Sequence, residues 1–180
     1  MEPVPTDPGI IELSEDELRE IAGYAADCAR RTLSIFEDGL PSDTRPRDAV
    51  DAAYVFAAGG RRTNALRQRA WAAYRAAEDA ASPAAADAAR AASHAAAAAF
   101  LHPRASAHQV KHVLGAAAHA ARAEELAYGE GRSGAGTTFG WACHHAPAAV
   151  TAVLGRLPAA PAGGGRAGEL VRGLDAALRT

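Results

Sequence analysis

From Leu18 onward the apolar positions recur every three or four residues, the period of an α-helix rather than the alternation of a strand. Leu18, Ile21, Ala22, Ala25, Cys28, Ala29, Thr32, Leu33 and Phe36 trace one stripe. Ser14-Glu15-Asp16-Glu17 just before it is a capping box, in which the Ser14 hydroxyl and the Glu17 carboxylate each satisfy a free N–H of the first turn. The pattern predicts a first helix over 14–36, stopped at Gly39-Leu40-Pro41. Asp43-Thr44-Arg45-Pro46 opens a second, with Pro46 in its first turn and Val50, Ala53, Tyr54 and Ala57 facing inward. Gly59-Gly60 ends it. A third helix is predicted over 63–81, a fourth over 83–101, broken by His102-Pro103, and a fifth over 106–128.

The glycine-rich stretch 129–140 reads as a loop. A short helix over 147–156, a linker over 158–165 and a last helix over 167–178 follow, the last with Leu170, Val171, Leu174 and Leu178 on one side. No segment alternates with a period of two or carries a β-branched run, so no strand is expected. The expected fold is all-α: a single Ala-rich bundle of about six to seven mostly antiparallel helices. Its expected divisions are an extended lead-in over 1–13, a helical domain over 14–157, the linker, and a C-terminal helix over 166–180 packed on the same domain.

Composition changes this picture in one respect. Hydrophobic residues make up 49% of the chain, but more than half of them are Ala, and aromatics are only 6%. Ala forms helices readily and loses no side-chain entropy, yet buries little area. The helices must therefore pack closely, and any large or polar side chain among the alanines calls for its own explanation. The net charge of −2 argues against nucleic acid as partner, because phosphate neutralisation needs a basic surplus. Nearly every cation is Arg, Lys111 being the one lysine, which with the Ala and Gly content points to a high-GC bacterial source. Cys28 and Cys143 form no CxxC pair and read as free thiols of a reducing compartment. The first residues carry neither a basic nor an apolar leader pattern, and the Ala run after His94 is too short to span a bilayer. Cytoplasmic residence without membrane contact is the expectation.

Five groups could carry chemistry. His108, His112, Gly115 and His119 fall at helical spacing and face one way. H-x-x-x-H can hold a metal, but no acid nearby supplies a third ligand, so a polar seam is the plainer reading and no metal or cofactor is assigned. His94, with Arg90 and Asp87 on the preceding turns, lies among alanines and needs a hydrogen-bond partner if buried. Asp43, Arg45, Asp48 and Asp51 surround the second helix start. Asp43 reads as an N-cap and Asp48 as a first-turn acid, while Arg45 suits a bidentate clamp on a carboxylate, structural or bound. Arg67, Trp71 and Arg75, with Tyr74 beside them, suit either an interface or helix packing. Cys143-His144-His145 places a thiol beside two imidazoles, but adjacent residues point in different directions.

The segments Asp43-Thr44-Arg45-Pro46-Arg47-Asp48-Ala49-Val50-Asp51-Ala52-Ala53, Ala91-Ala92-Ser93-His94 and His112-Val113-Leu114-Gly115-Ala116-Ala117-Ala118-His119-Ala120, with the aromatic and Gly59-Gly60 between them, resemble the Imm-5-like family of putative immunity proteins. The resemblance covers about 14–128. It implies an all-helical protein grouped with toxin-neutralising proteins, and it points to Arg45, His94 and His112 as the polar positions of the pattern. The first functional reading is thus an immunity-type protein that binds a toxin-like protein partner without catalysis, with Arg45, Asp43, Trp71, Tyr74, Arg75 and His119 as contact residues. The alternative is a small helical enzyme or enzyme subunit of specialised-metabolite biosynthesis or resistance. There His94, His112, Asp48 and Asp51 would be acid–base residues in an inter-helix pocket, and Arg45 would hold an anionic small molecule. A third is self-association into a homodimer through Leu170, Val171 and Leu174.

Overall fold

The computed structural model describes residues 9–180, so the first eight residues of the expected lead-in lie outside the described part. Nine α-helices and two short 3-10 turns make up the described chain, with no strand among the described residues. They are α1 (Glu15–Arg30), α2 (Leu33–Glu37), α3 (Arg45–Ala57), α4 (Asn64–Asp79), α5 (Pro83–Ala97), α6 (Val110–Tyr128), α7 (Thr138–His145), α8 (Ala148–Gly155) and α9 (Gly165–Leu178). The fold is the all-helical bundle expected. Two of the nine helices arise where the periodicity misled.

The first is a division of the opening stripe. Thr32 donates both its backbone N–H and its hydroxyl to the Ala29 carbonyl. That local bonding competes with the i−4 ladder, and the chain turns, so that α2 starts afresh and buries Leu33 and Phe36. The second is α7, inside the last part of the stretch read as loop. Thr137 caps it by accepting the Gly140 N–H. Thr138 bonds the Glu124 carboxylate through its N–H and its hydroxyl. A Cβ on Gly140 would meet the Gly134 carbonyl, so the glycine there serves close approach rather than flexibility.

The centre of the molecule is the α4–α5–α6 layer, with α1 packed across α3, α5 and α6. Ala88, Ala89, Ala91, Ala92, Ala95 and Ala96 of α5 are fully buried, as are Ala116, Ala117, Ala118 and Ala120 of α6. Asp87 meets His119 while His94 meets Gly115, so α5 and α6 run antiparallel. Each buried Ala methyl contributes only about 0.8 kcal/mol of transfer energy. The few large anchors matter correspondingly more: Phe36, Phe56, Ile21, Leu33, Leu114 and Leu154 are completely enclosed, each worth about 1.5–3 kcal/mol. α9 packs on α6 with Leu170, Val171, Leu174 and Leu178 buried, so the face considered for self-association is covered within the chain. No helix is long and apolar enough to cross a membrane among the described residues.

Candidate functional site: a cleft over the α5–α6 seam

A cleft of about 1110 Å³ opens where α4 parts from α5 and α6. Its floor is the seam itself. Ser93 and His94 rise from α5, and Ser93 donates its hydroxyl to the Ala70 carbonyl at 2.8 Å, tying α5 to α4. Gly115 of α6 lies directly against the His94 ring, where a Cβ would come within 2.6 Å of Nδ1. Glycine in a helix interior is unfavourable by about 1 kcal/mol against Ala; here its vacancy is the space the imidazole fills. His94 also stacks on His119, with centroids 5.1 Å apart and planes at 21°.

His119 is oriented from behind. Its Nδ1 stands 2.7 Å from Oδ1 of Asp87, which is buried. An ionised carboxylate only accepts, so Nδ1 carries the hydrogen and Nε2 is the nitrogen left for other partners. Arg90 adds a long contact of 3.5 Å to the same Asp87 oxygen. His94 has no protein hydrogen-bond partner among the described residues. Burial, and then the charges of His119, His112 and Lys111, push its imidazole down to about 3, so it is neutral at physiological pH. His112 at the cleft side is pushed down for the same first reason, with Lys111, His102 and His108 adding to it.

The walls and mouth differ in character from the floor. Trp71 and Tyr74 on α4 pair edge to face at 5.9 Å and are 56% and 50% exposed, unusual for rings of this size. Phe100 stands opposite, with the Arg67 guanidinium 4.5 Å over its ring. Arg62 and Lys111 complete the mouth, and among the described residues no carboxylate lines the cleft.

The structure thus gathers His94, His112, His119, Trp71 and Tyr74 in one place, and leaves the other sequence candidates elsewhere. Arg45 makes a bidentate pair with Asp43 (2.6 Å at the closer contact) and reaches Asp79 at 2.7 Å, pinning the start of α3 to the end of α4. The pair holds the Asp43 carboxyl below its usual range, chiefly through the Arg45 hydrogen bonds. Asp48 accepts from Thr44 and pairs with Arg69, while Asp51 is exposed on α3. Arg75 is exposed on α4 outside the cleft lining. His108 sits in the 3-10 turn Ala107–Gln109, exposed, one turn before the histidines that line the cleft. No three metal-ligating groups stand together among the described residues.

The Cys143-His144-His145 segment ends α7. His144 and His145 bond the Gly140 and Trp141 carbonyls, and His145 stacks on Trp141 at 4.3 Å. The Cys143 thiol is pushed up by burial, Cys28 is pushed up to about 12 chiefly by burial, and both thiols are free.

Sequence reasoning did not single out Arg62, Lys111, Phe100 or the Asp87–His119 pairing as parts of one site. One signal was available for the floor: Gly115 interrupts an Ala-rich helix, and an interior helical glycine marks close packing.

The model of the Imm-5 like putative immunity protein family matches residues 12–149, from just before α1 into α8, and the chain belongs to that family. No curated protein and no solved structure matches the chain.

Proposed function

We propose that this chain is an immunity-type binding protein that neutralises a protein toxin in the cytoplasm by occupying it, without catalysis of its own. Membership of the family supplies the class. The observation that carries the mode of binding is the Trp71–Tyr74 pair, half out in solvent on α4 beside a cleft mouth that carries cations and, among the described residues, no carboxylate. Exposed aromatic and Arg side chains supply most of the binding energy in protein interfaces. A partner that fits here presents an acidic, apolar-tipped segment to α4, with Arg67 and Arg75 meeting its charge.

The test is growth rescue: the chain is co-expressed with the toxin encoded beside its own gene. Rescue by the wild type that is lost in the Trp71→Ala/Tyr74→Ala double variant, with the variant still folded, is the expected result. Rescue that survives the double variant contradicts this docking face. Absence of any rescue by the wild type contradicts the neutralising role.

A further inference from the structure

Ten arginines of the described chain are paired with carboxylates: Arg19, Arg30, Arg45, Arg47, Arg69, Arg90, Arg122, Arg156, Arg166 and Arg179. Among the described residues eight other arginines have no such pair, and two of these, Arg62 and Arg67, line the cleft. Among the described residues Arg62, Arg67 and Lys111 have no carboxylate within ion-pair distance, and all three line the same space. Uncompensated cations that converge on a concave site repel one another and are relieved by a bound anion. Arg67 is also held flat on Phe100, which fixes its fork of donors.

Two further features narrow the anion. The wall beside the cations presents the Trp71 and Tyr74 rings, a surface on which a flat ring stacks. The floor presents His94, which has no hydrogen-bond partner among the described residues and whose Nδ1 lies against Gly115. A neutral imidazole there both donates and accepts a hydrogen bond, which suits hydroxyl groups and not a second charge. Three full cations at the mouth match the double charge of a phosphomonoester better than a single carboxylate.

We propose that the cleft is a binding site for a mononucleotide-like small molecule, its ring on Trp71 and Tyr74, its sugar hydroxyls on His94 and its phosphate on Arg62, Arg67 and Lys111. The inference does not rest on the toxin-binding reading. It uses the same Trp71, Tyr74 and Arg67, so a bound mononucleotide and a docked protein would compete for this face. Polymeric nucleic acid is a poorer fit, because the cations are confined to one cleft mouth on a chain of net charge −2.

The experiment is isothermal titration of the full chain, at fixed ionic strength, with AMP, adenosine, inorganic phosphate and an Asp/Glu-rich peptide. The expected result is one-to-one AMP binding, at least tenfold tighter than adenosine or phosphate alone. The Arg62→Ala/Lys111→Ala variant, both positions being exposed and so safe for folding, should weaken AMP at least tenfold and leave adenosine unchanged. In a Trp141→Phe background, AMP should quench the fluorescence of Trp71. The proposal is overturned if AMP shows no binding up to millimolar concentration, if adenosine binds as tightly, or if the double variant binds AMP like the wild type. Tighter binding of the acidic peptide than of AMP overturns it in favour of protein docking at the same cations.

Discussion

The start of α3 and the mouth of the cleft both carry arginine, and they use it in opposite ways. At α3 Arg45 is saturated: Asp43 takes it bidentately and Asp79 closes the third side. At the cleft Arg62 and Arg67, with Lys111, face a space that no acid among the described residues lines. The first arrangement spends its charge inside the fold and joins two helices. The second leaves charge available to something outside. Residue type alone does not separate these roles; the separating fact is whether a carboxylate stands opposite.

Variants can break this comparison, and the largest effect is expected on the cleft floor. Gly115→Ala places a methyl where the His94 ring lies. Overpacking of this kind costs about 1–3 kcal/mol, offset by about 1 kcal/mol of helix propensity, for a net loss of up to about 2 kcal/mol in urea unfolding. In a His94→Ala background the same change should become neutral or stabilising. A loss of equal size in both backgrounds would show that the glycine serves some other contact.

A pH dependence arises at the same floor and is at least as large. The folded chain keeps His94 neutral down to about 3, whereas the unfolded chain protonates it near 6.5. The unfolded state therefore takes up the proton first as pH falls. The stability His94 confers is complete above about 6.5 and is lost progressively from there toward 3, at roughly 1 kcal/mol per pH unit. His94→Asn should reduce the slope of the stability curve between pH 6.5 and 4.5, leaving the part that His112, also held below its usual range, contributes. Below that range Glu17, held at about 2 chiefly by Arg156 and Ser14, adds a second loss that His94→Asn leaves in place. A wild-type curve that is level from pH 6.5 to 4.5 would contradict the buried, unpartnered placement of His94.

The two arginine clusters give the smaller effects. Arg45→Ala should lower stability by about 1 kcal/mol, at the upper end for partly exposed pairs because two acids lose their partner, and should leave partner and ligand binding intact. Arg67→Ala should change stability by less than about 0.5 kcal/mol, with its consequence in binding alone. If the two variants exchange these behaviours, the distinction between spent and available charge is wrong.

Much of the fold was legible in the chain. Capping boxes, Pro at helix starts and a threefold-to-fourfold apolar period specify helices wherever local bonding agrees with them, as at Ser14 and Ser82. The reading failed where a side chain overrode the period. Thr32 turned its bonds back on Ala29, and Thr137 and Thr138 built α7 from partners that include Glu124, fourteen residues away. The site divided in the same way. His94, His112 and His119 stood out because alanines surround them. Arg45 stood out equally, but its second partner, Asp79, lies 34 residues on and has no signature at position 45. Arg62 and Lys111 did not stand out as site residues, since a lack of partners is a property of three-dimensional space and not of sequence.

The most direct measurement is a calorimetric titration of the purified chain with the protein encoded by the gene beside its own, run in parallel for wild type, Trp71→Ala/Tyr74→Ala and Arg45→Ala. The account predicts a one-to-one complex for wild type, the same affinity for Arg45→Ala, and at least a hundredfold loss for the aromatic double variant, about 2.7 kcal/mol. Unchanged affinity in the double variant, or a loss confined to Arg45→Ala, would contradict it.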